Sequence, residues 1–90
     1  MRPRPDWMGK YDPAILELLK ESGLALPPKA ITFNLEHLNI ASPAESTTQR
    51  RLTILREKGL IEKIDQQAGY YEITQAGRDY LAGDSSMDVS

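Results

Sequence analysis

Residues 46–53, with the sequence STTQRRLT, place hydroxyls, an amide and two arginines within about two helical turns. Turning Thr48, Leu52 and Leu55 inward, and stepping about 100° per residue, leaves a polar set facing outward. This set is Ser46, Arg50, Thr53 and Glu57, flanked by Thr47 and Gln49. Hydroxyl, amide and guanidinium groups match the donors and acceptors on base edges in the major groove of DNA. The spacing therefore predicts a helix over 43–58 that inserts into that groove, with an ordinary solvent-exposed helix face as the alternative.

The two adjacent arginines are predicted to have different roles. Arg50 falls near the centre of the outward face, so we expect it to contact a base edge, most naturally the two acceptors of a guanine. Arg51 falls on the flank toward the preceding helix, so we expect it to contact a phosphate or to pair with an acidic neighbour.

The ends of this helix carry capping signals. The segment from Ser42 to Glu45 fits a capping box, in which each of the two side chains accepts a hydrogen bond from the backbone amide of the other residue. Gly59 follows Lys58 and is predicted to end the helix.

Two further helices are predicted upstream. The first lies between Asp12, which can cap it, and Gly23, which suits a left-handed end, and Pro13 suits its first turn. The second begins at the double proline 27–28. The apolar face of the first helix is Ile15, Leu18 and Leu19, and the second presents Ala30, Ile31, Asn34, Leu35 and Leu38 on one face.

After Gly59 the spacing of apolar residues changes from that of a helix to the alternation typical of strands. Residues 60–74 therefore predict a hairpin with a polar turn at 65–69. Side chains alternate along a strand, so two residues should face the core and two should face solvent. The inward pair is Tyr71 and Ile73, and the outward pair is Tyr70 and Glu72. The hairpin could contact DNA through Lys63, Gln66 and Gln67, or it could be a plain connecting turn. Thr74 should cap a last helix over 75–82, in which Tyr80 and Leu81 would be buried.

Composition limits the other possibilities. Ninety residues allow one domain, expected at 12–83 with an N-terminal arm at 1–11 and a disordered tail at 84–90. The arm, with Arg2 and Arg4, could contact DNA or stay solvated, and Trp7 and Met8 should fold back onto the domain. There is no cysteine, no apolar run of membrane-spanning length and no secretory signal, so we expect a cytoplasmic protein. His37 is the one histidine, and no residue pattern supports catalysis, a metal or a cofactor, so we expect none.

Charge is distributed unevenly around a net value of −2. Residues 42–63 hold five basic and three acidic side chains, whereas residues 64–90 hold one basic and five acidic side chains. A locally basic segment can meet a polyanion even on an acidic protein, because the nearby field dominates.

The predicted order of elements is that of a winged helix-turn-helix domain, mainly α with a small β-hairpin. In that order the chain resembles the small haloarchaeal winged-helix proteins related to the repressor of the halobacterial phage phi-H, and more distantly the multiple-antibiotic-resistance type repressors. The resemblance spans 6–83 and rests on the order and spacing of short segments. These are Asp6-Trp7-Met8, Ile15-Leu16-Glu17-Leu18-Leu19, Lys29-Ala30-Ile31 with Asn34-Leu35, Arg50-Arg51-Leu52, Gly59-Leu60-Ile61-Glu62-Lys63, Gly69-Tyr70-Tyr71-Glu72-Ile73-Thr74, Gly77-Arg78 and Tyr80-Leu81-Ala82-Gly83. It implies a DNA-binding transcriptional regulator without enzymatic activity, usually a homodimer.

The resemblance leaves several points open. Thr48 stands where such helices more often carry an aliphatic residue, which predicts looser packing under the helix. The alternative function is a winged-helix protein–protein interaction module without direct DNA binding. Whether a small-molecule effector exists is left open by the sequence. We expect a homodimer through the first and last helices. Its apolar contacts would come from Trp7, Ile15, Leu16, Tyr80 and Leu81.

Overall fold

The protein folds as four helices and a two-stranded hairpin, and the computed structural model describes residues 5–83. The elements in chain order are α1 (Asp12–Ser22), α2 (Pro28–His37), α3 (Glu45–Glu57), β1 (Ile61–Asp65), β2 (Tyr70–Ile73) and α4 (Gln75–Leu81). This order confirms the predicted mainly α winged helix-turn-helix fold. The predicted tail at 84–90, and Arg2 and Arg4 of the arm, lie outside the described residues.

The core forms where the apolar stripes of the first three helices meet the inner face of the hairpin. Burial of these side chains is the main stabilising contribution, because each removes apolar surface from water. The fully enclosed aliphatic residues are Ile15, Leu16, Leu19, Ile31, Leu35, Leu52 and Leu55. The hairpin adds Ile61, Tyr71 and Ile73, and α4 adds Tyr80. The predicted inward aliphatic positions are therefore confirmed except Leu38, which is 53% exposed just after α2, and Leu81 is only partly buried.

Most of the helix termini lie at the capping residues that the local sequence predicts. Gly23 adopts φ 65° after α1, a left-handed conformation that glycine reaches without a steric penalty. Pro27 holds the N-cap of α2, and the Thr74 hydroxyl caps α4 by accepting from the amide of Gly77 at 3.1 Å. The predicted cap at Asp12 is wrong, because Tyr11 occupies the N-cap position and the Asp12 carboxylate turns into the protein.

The start of α3 also differs from the prediction. Ala44 is extended, with φ −68° and ψ 153°, so the helix begins at Glu45 and no side chain caps it. Pro43 is buried just before this point. The Ser42–Glu45 capping box is therefore wrong, because Glu45 occupies the first helical position instead of the third. The helix ends at Glu57, so the span predicted as 43–58 is 45–57.

The hairpin is antiparallel and carries a bulge near its turn. Ile61 pairs with Ile73 and Glu62 with Glu72, and the register shifts between Lys63 and Asp65. Leu26 forms a bridge to the other edge of β2, because its amide and carbonyl exchange hydrogen bonds of 2.8 and 2.9 Å with Tyr71. The loop between α1 and α2 is thus attached to the wing.

Residues 5–11 pack against the domain. Met8 is buried, and the Tyr80 hydroxyl donates to its sulfur at 3.1 Å, while Trp7 packs at the edge of the core. The expectation that Trp7 and Met8 fold back onto the domain is confirmed. The predicted dimer contacts need correction, because Ile15, Leu16 and Tyr80 are enclosed within one copy and offer no surface to a second.

Candidate nucleic-acid interface

The outward face of α3 presents the polar side chains that the helical phase predicted. Ser46, Gln49, Arg50 and Thr53 are exposed and Thr47 is half-buried. Two of them are partly engaged: the Gln49 amide lies 3.4 Å from the Glu45 carboxylate, and the Thr53 hydroxyl donates to the Gln49 carbonyl at 3.1 Å. Within residues 5–83 no hydrogen bond or ion pair holds Arg50. Its guanidinium is therefore free to meet an external acceptor.

Contacts on the inner face of α3 fix the direction in which the exposed polar side chains point. Thr48 is completely buried, on the side of α3 that packs against α2. Its hydroxyl accepts a hydrogen bond from Thr32 of α2 at 2.8 Å and donates to the Ala44 carbonyl at 3.4 Å. A buried hydroxyl with partners costs little, whereas an unpaired one would destabilise the fold. The expectation of looser packing at Thr48 is therefore replaced by a polar link that joins α2 to α3.

Arg51 points away from the outward face and is held inside the protein. Its Nε donates to Asp12 Oδ1 at 2.9 Å, and one terminal nitrogen donates to Asp12 Oδ2 at 2.6 Å and to the Trp7 carbonyl at 2.9 Å. The side chain of Asp12 is 0% exposed and that of Arg51 is 15% exposed. Of the two outcomes predicted for Arg51, the structure shows the acidic partner, and that partner belongs to α1 and not to the helix directly before α3.

The backbone near this ion pair adds a further hydrogen bond to Asp12. The Gly9 amide donates to Asp12 Oδ2 at 2.9 Å, and the guanidinium lies so close to Gly9 that an added Cβ would be 3.2 Å from it. Side-chain hydrogen bonding to Asp12 raises the pKa of Arg51 above its ordinary value, against a smaller opposing effect of desolvation. Arg51 is thus permanently charged and ties α3 to the beginning of α1.

The wing tip offers few groups to a polyanion. Asp65 Oδ1 accepts from the amides of Gln67 and Ala68, both at 3.0 Å, which shapes the turn. Gln66 and Gln67 are exposed, and the Gln66 amide donates to the Lys63 carbonyl at 3.2 Å. The Lys63 ammonium lies 5.9 Å from the centre of the Tyr71 ring, which is on the core side of the wing.

The outer face of the wing is acidic and partly apolar. Glu62 and Asp65 are exposed, Glu72 is half-exposed, and among them lie the exposed side chains of Ile64 and Tyr70. The alternation rule predicted Tyr70 and Glu72 on this face. Continued along β1 from the buried Ile61, the same rule places Ile64 on the side of Glu62, next to the bulge.

One basic residue of α3 was missed by the sequence argument. Arg56 is exposed and lies seven residues after Gln49, so Gln49, Thr53 and Arg56 share one polar stripe. A helical projection carried one turn further would have included it. Lys58 is also exposed, but its ammonium lies 5.5 Å from the centre of the Trp7 ring, away from this stripe.

Other kinds of site receive no support from the part of the chain that the structure describes. No group of three potential metal ligands occurs within residues 5–83, and His37 stacks on Phe33 with a centroid distance of 5.4 Å. Over the same residues, no helix has the length and apolar character needed to cross a membrane.

The arrangement of helices α1 to α3, the hairpin and the exposed polar face of α3 defines a winged helix-turn-helix protein. Residues 1–89 match the family described as winged helix-turn-helix phage repressor, and the chain belongs to this family. The family is a regulatory DNA-binding one and has no enzymatic activity.

Two relatives cover nearly the whole chain. The repressor protein of Halobacterium phage phiH is 36% identical over 93 residues, covering 98% of this chain and 94% of the phage protein. The crystal structure of the PhiH1 repressor-like protein from Haloarcula marismortui is 31% identical, with a TM-score of 0.79, and the match covers 94% of this chain and 91% of that chain. The H. salinarum RosR structure is 24% identical with a TM-score of 0.70, covering 93% and 76% of the two chains, and supports the fold alone.

Proposed function

We propose that this protein is a transcriptional repressor that binds specific DNA sequences by inserting α3 into the major groove. The observation that carries the proposal is the outward face of α3, where Arg50 has no partner within residues 5–83 and stands among exposed amide and hydroxyl groups. Family membership supports the regulatory class. The buried Thr32–Thr48 link supports a rigid presentation of that face.

Within this proposal, the side chains divide between bases and phosphates. Arg50 would contact a guanine, because its fork of donors matches the two acceptors of that base. Ser46, Thr47, Gln49 and Thr53 would contact neighbouring base edges or the sugar–phosphate backbone. Arg56, at the end of the stripe, suits a phosphate.

Arg51 has a different role in this proposal. Three of its five N–H donors are held by Asp12 and the Trp7 carbonyl and its side chain is only 15% exposed, so we do not assign it a DNA contact. It acts as a positioning residue, because it fixes the flank of α3 against α1. Its loss would therefore alter binding only through the orientation and stability of α3.

The wing would contribute little electrostatic affinity. Gln66 and Gln67 can contact the backbone or the minor groove, but the Lys63 ammonium faces the ring of Tyr71. The outer face of the wing carries the carboxylates of Glu62, Asp65 and Glu72. Ile64 and Tyr70 on the outer face favour the second candidate, a protein–protein interaction module, because exposed apolar side chains beside charges are typical of docking surfaces. Retention on heparin compared with an anion exchanger distinguishes the two functions.

The working form would be an intracellular homodimer, in an organism with high internal salt as the relatives' sources suggest. One copy has one recognition helix, and specific affinity usually requires two half-sites about one helical turn apart. The partly buried residues Trp7, Tyr11, Ala14 and Leu81 remain available for the dimer contact. Concentrated salt weakens phosphate contacts, so base contacts would carry most of the affinity.

The test begins with selection of bound sequences from a random DNA pool in concentrated potassium chloride. The wild type, Arg50→Ala and Arg78→Ala are then titrated against the selected and a scrambled duplex over a salt series. Arg78 is an exposed arginine on α4 and serves as the matched control. Arg50→Ala should lose about 1–3 kcal/mol of discrimination at one base position. An Arg50→Ala protein with the full ratio of specific to non-specific affinity, or a wild type that selects no sequence, would contradict the proposal.

A further inference from the structure

An apolar groove opens on the surface between the last turn of α1, the following loop and the C-terminal half of α2. Its volume is about 320 Å³, near the lower end of the roughly 300–1,000 Å³ found for small-molecule sites. Its apolar walls are Leu18, Leu24, Leu26 and Leu38. Leu24 is 58% and Leu38 53% exposed, and because both border one groove they form a patch instead of scattered residues.

The polar groups of this groove are available mainly as acceptors. Ser22 is engaged, because its hydroxyl donates to the Leu19 carbonyl at 3.2 Å and accepts from the Leu24 amide at 3.1 Å. The Asn34 amide nitrogen donates one of its two N–H groups to the Ala30 carbonyl at 2.8 Å, and the amide oxygen remains available as an acceptor. Glu21 is exposed, and no hydrogen bond or ion pair holds it within residues 5–83. No basic side chain lines the groove.

We propose that this groove binds a small apolar amine in its protonated form. The leucine walls would cover the hydrocarbon body, and the ammonium would donate to the Glu21 carboxylate and the Asn34 amide oxygen. The negative charge and free acceptors disfavour an apolar acid, which would bring a carboxylate against Glu21. A neutral alcohol would fit the walls but would gain no ion pair.

The groove is connected to both parts of the candidate DNA interface. Leu26 in its wall exchanges two hydrogen bonds with Tyr71 of the wing, and Asn34 and Leu38 belong to the helix that is linked to α3 through Thr32 and Thr48. A ligand wedged between α1 and α2 therefore displaces α3 relative to the wing. This regulatory step rests on the proposed function, whereas binding of the amine does not.

Binding is tested without DNA, by calorimetry and by backbone amide chemical shifts, with three probes of equal length. These are hexylammonium, hexanol and hexanoate. Hexylammonium should bind roughly threefold more tightly than hexanol, the effect of one partly exposed ion pair, and hexanoate should bind most weakly. Glu21→Gln should abolish the preference, and Leu24→Ser should weaken all three probes. Glu36→Gln, an exposed glutamate of α2 outside the groove, is the matched control and should keep the preference.

Equal affinity for the three probes, an unchanged preference in Glu21→Gln, or shifts confined to residues outside the groove would overturn the site. Light scattering that shows a dimer which Leu24→Ser dissociates in the absence of any probe would also overturn it, because a second copy would then be the occupant. The regulatory step is tested by repeating the DNA titration with saturating hexylammonium. If the wild type binds DNA with the same affinity in both conditions, the regulatory step is wrong and the site stands. If the wild type binds no DNA, the proposed function fails instead.

Discussion

Removing the guanidinium of Arg51 should destabilise the protein far more than removing that of its neighbour Arg50. In Arg51→Met the Asp12 carboxylate stays fully buried and keeps one hydrogen bond, from the Gly9 amide. Leaving one member of a buried ion pair uncompensated costs about 3–5 kcal/mol. Domains of this size have a free energy of unfolding of about 5–15 kcal/mol. The variant should therefore retain only a small free energy of unfolding.

The comparison is made by urea unfolding, followed by circular dichroism and by the fluorescence of Trp7, which is the one tryptophan and contacts Arg51 through its carbonyl. A loss of 3 kcal/mol corresponds to a fall in melting temperature of roughly 12–24 °C in a domain of this length. Arg50→Met is the control and should change stability by less than about 0.5 kcal/mol, because that side chain is exposed and unpaired within residues 5–83.

A double variant separates the ion pair from simple loss of packing. In Asp12→Asn with Arg51→Met both charges are gone, and the amide oxygen can still accept from Gly9. At least half of the lost stability should return, because the uncompensated charge is the main cost. The loss in Arg51→Met should also persist in molar salt, since a buried pair is little screened. A loss below about 1 kcal/mol in Arg51→Met, or a double variant no more stable than the single one, would refute this reasoning.

Three further changes test other parts of the fold. Gly77→Ala should cost more than about 2 kcal/mol in urea unfolding, because an added Cβ would lie 2.3 Å from the Leu60 carbonyl oxygen and 2.6 Å from Ile73; a neutral result would show that α4 can shift. Thr74→Ala should cost about 1 kcal/mol through loss of the α4 cap, with Thr53→Ala, whose hydroxyl is exposed on α3, as the control. Deleting residues 84–90 should leave the melting temperature, the mass in solution and DNA affinity unchanged, and a change in any of them would show that the tail docks.

The parts of the fold that the sequence predicted are those governed by local pattern. The helical stripe of Thr48, Leu52 and Leu55 and the alternation around Tyr71 each have a fixed period, so the inward residues could be identified before the structure was known. The left-handed end at Gly23 and the cap at Thr74 depend on one or two adjacent residues, and they too were predictable.

The features that sequence reasoning missed depend on long-range contacts. Asp12 has the residue type and position of a helix cap, and only its approach to Arg51, 39 residues away, makes it an ion-pair partner. Ile15, Leu16 and Tyr80 were expected to leave surface for a dimer, but three-dimensional packing encloses them. For the candidate DNA interface, the phase of α3 predicted which side chains face outward, whereas the pairing of Arg51 with Asp12 and the Trp7 carbonyl depends on where residues 7–12 lie.

The pairing of Glu62 with Glu72 across the wing makes the hairpin responsive to the surrounding electrolyte. Directly opposite side chains in an antiparallel pair have Cβ atoms about 4.5–5.5 Å apart, and like charges at that distance repel. The screening length is about 30 Å in 0.01 M salt and about 3 Å in 1 M salt. In dilute buffer the repulsion between the two carboxylates is therefore almost unscreened, and in concentrated salt it is almost completely screened. In buffers of low ionic strength this repulsion therefore weakens the pairing of the two wing strands. An unstable wing in such buffers reflects the ionic strength of the medium as much as the sequence of the chain.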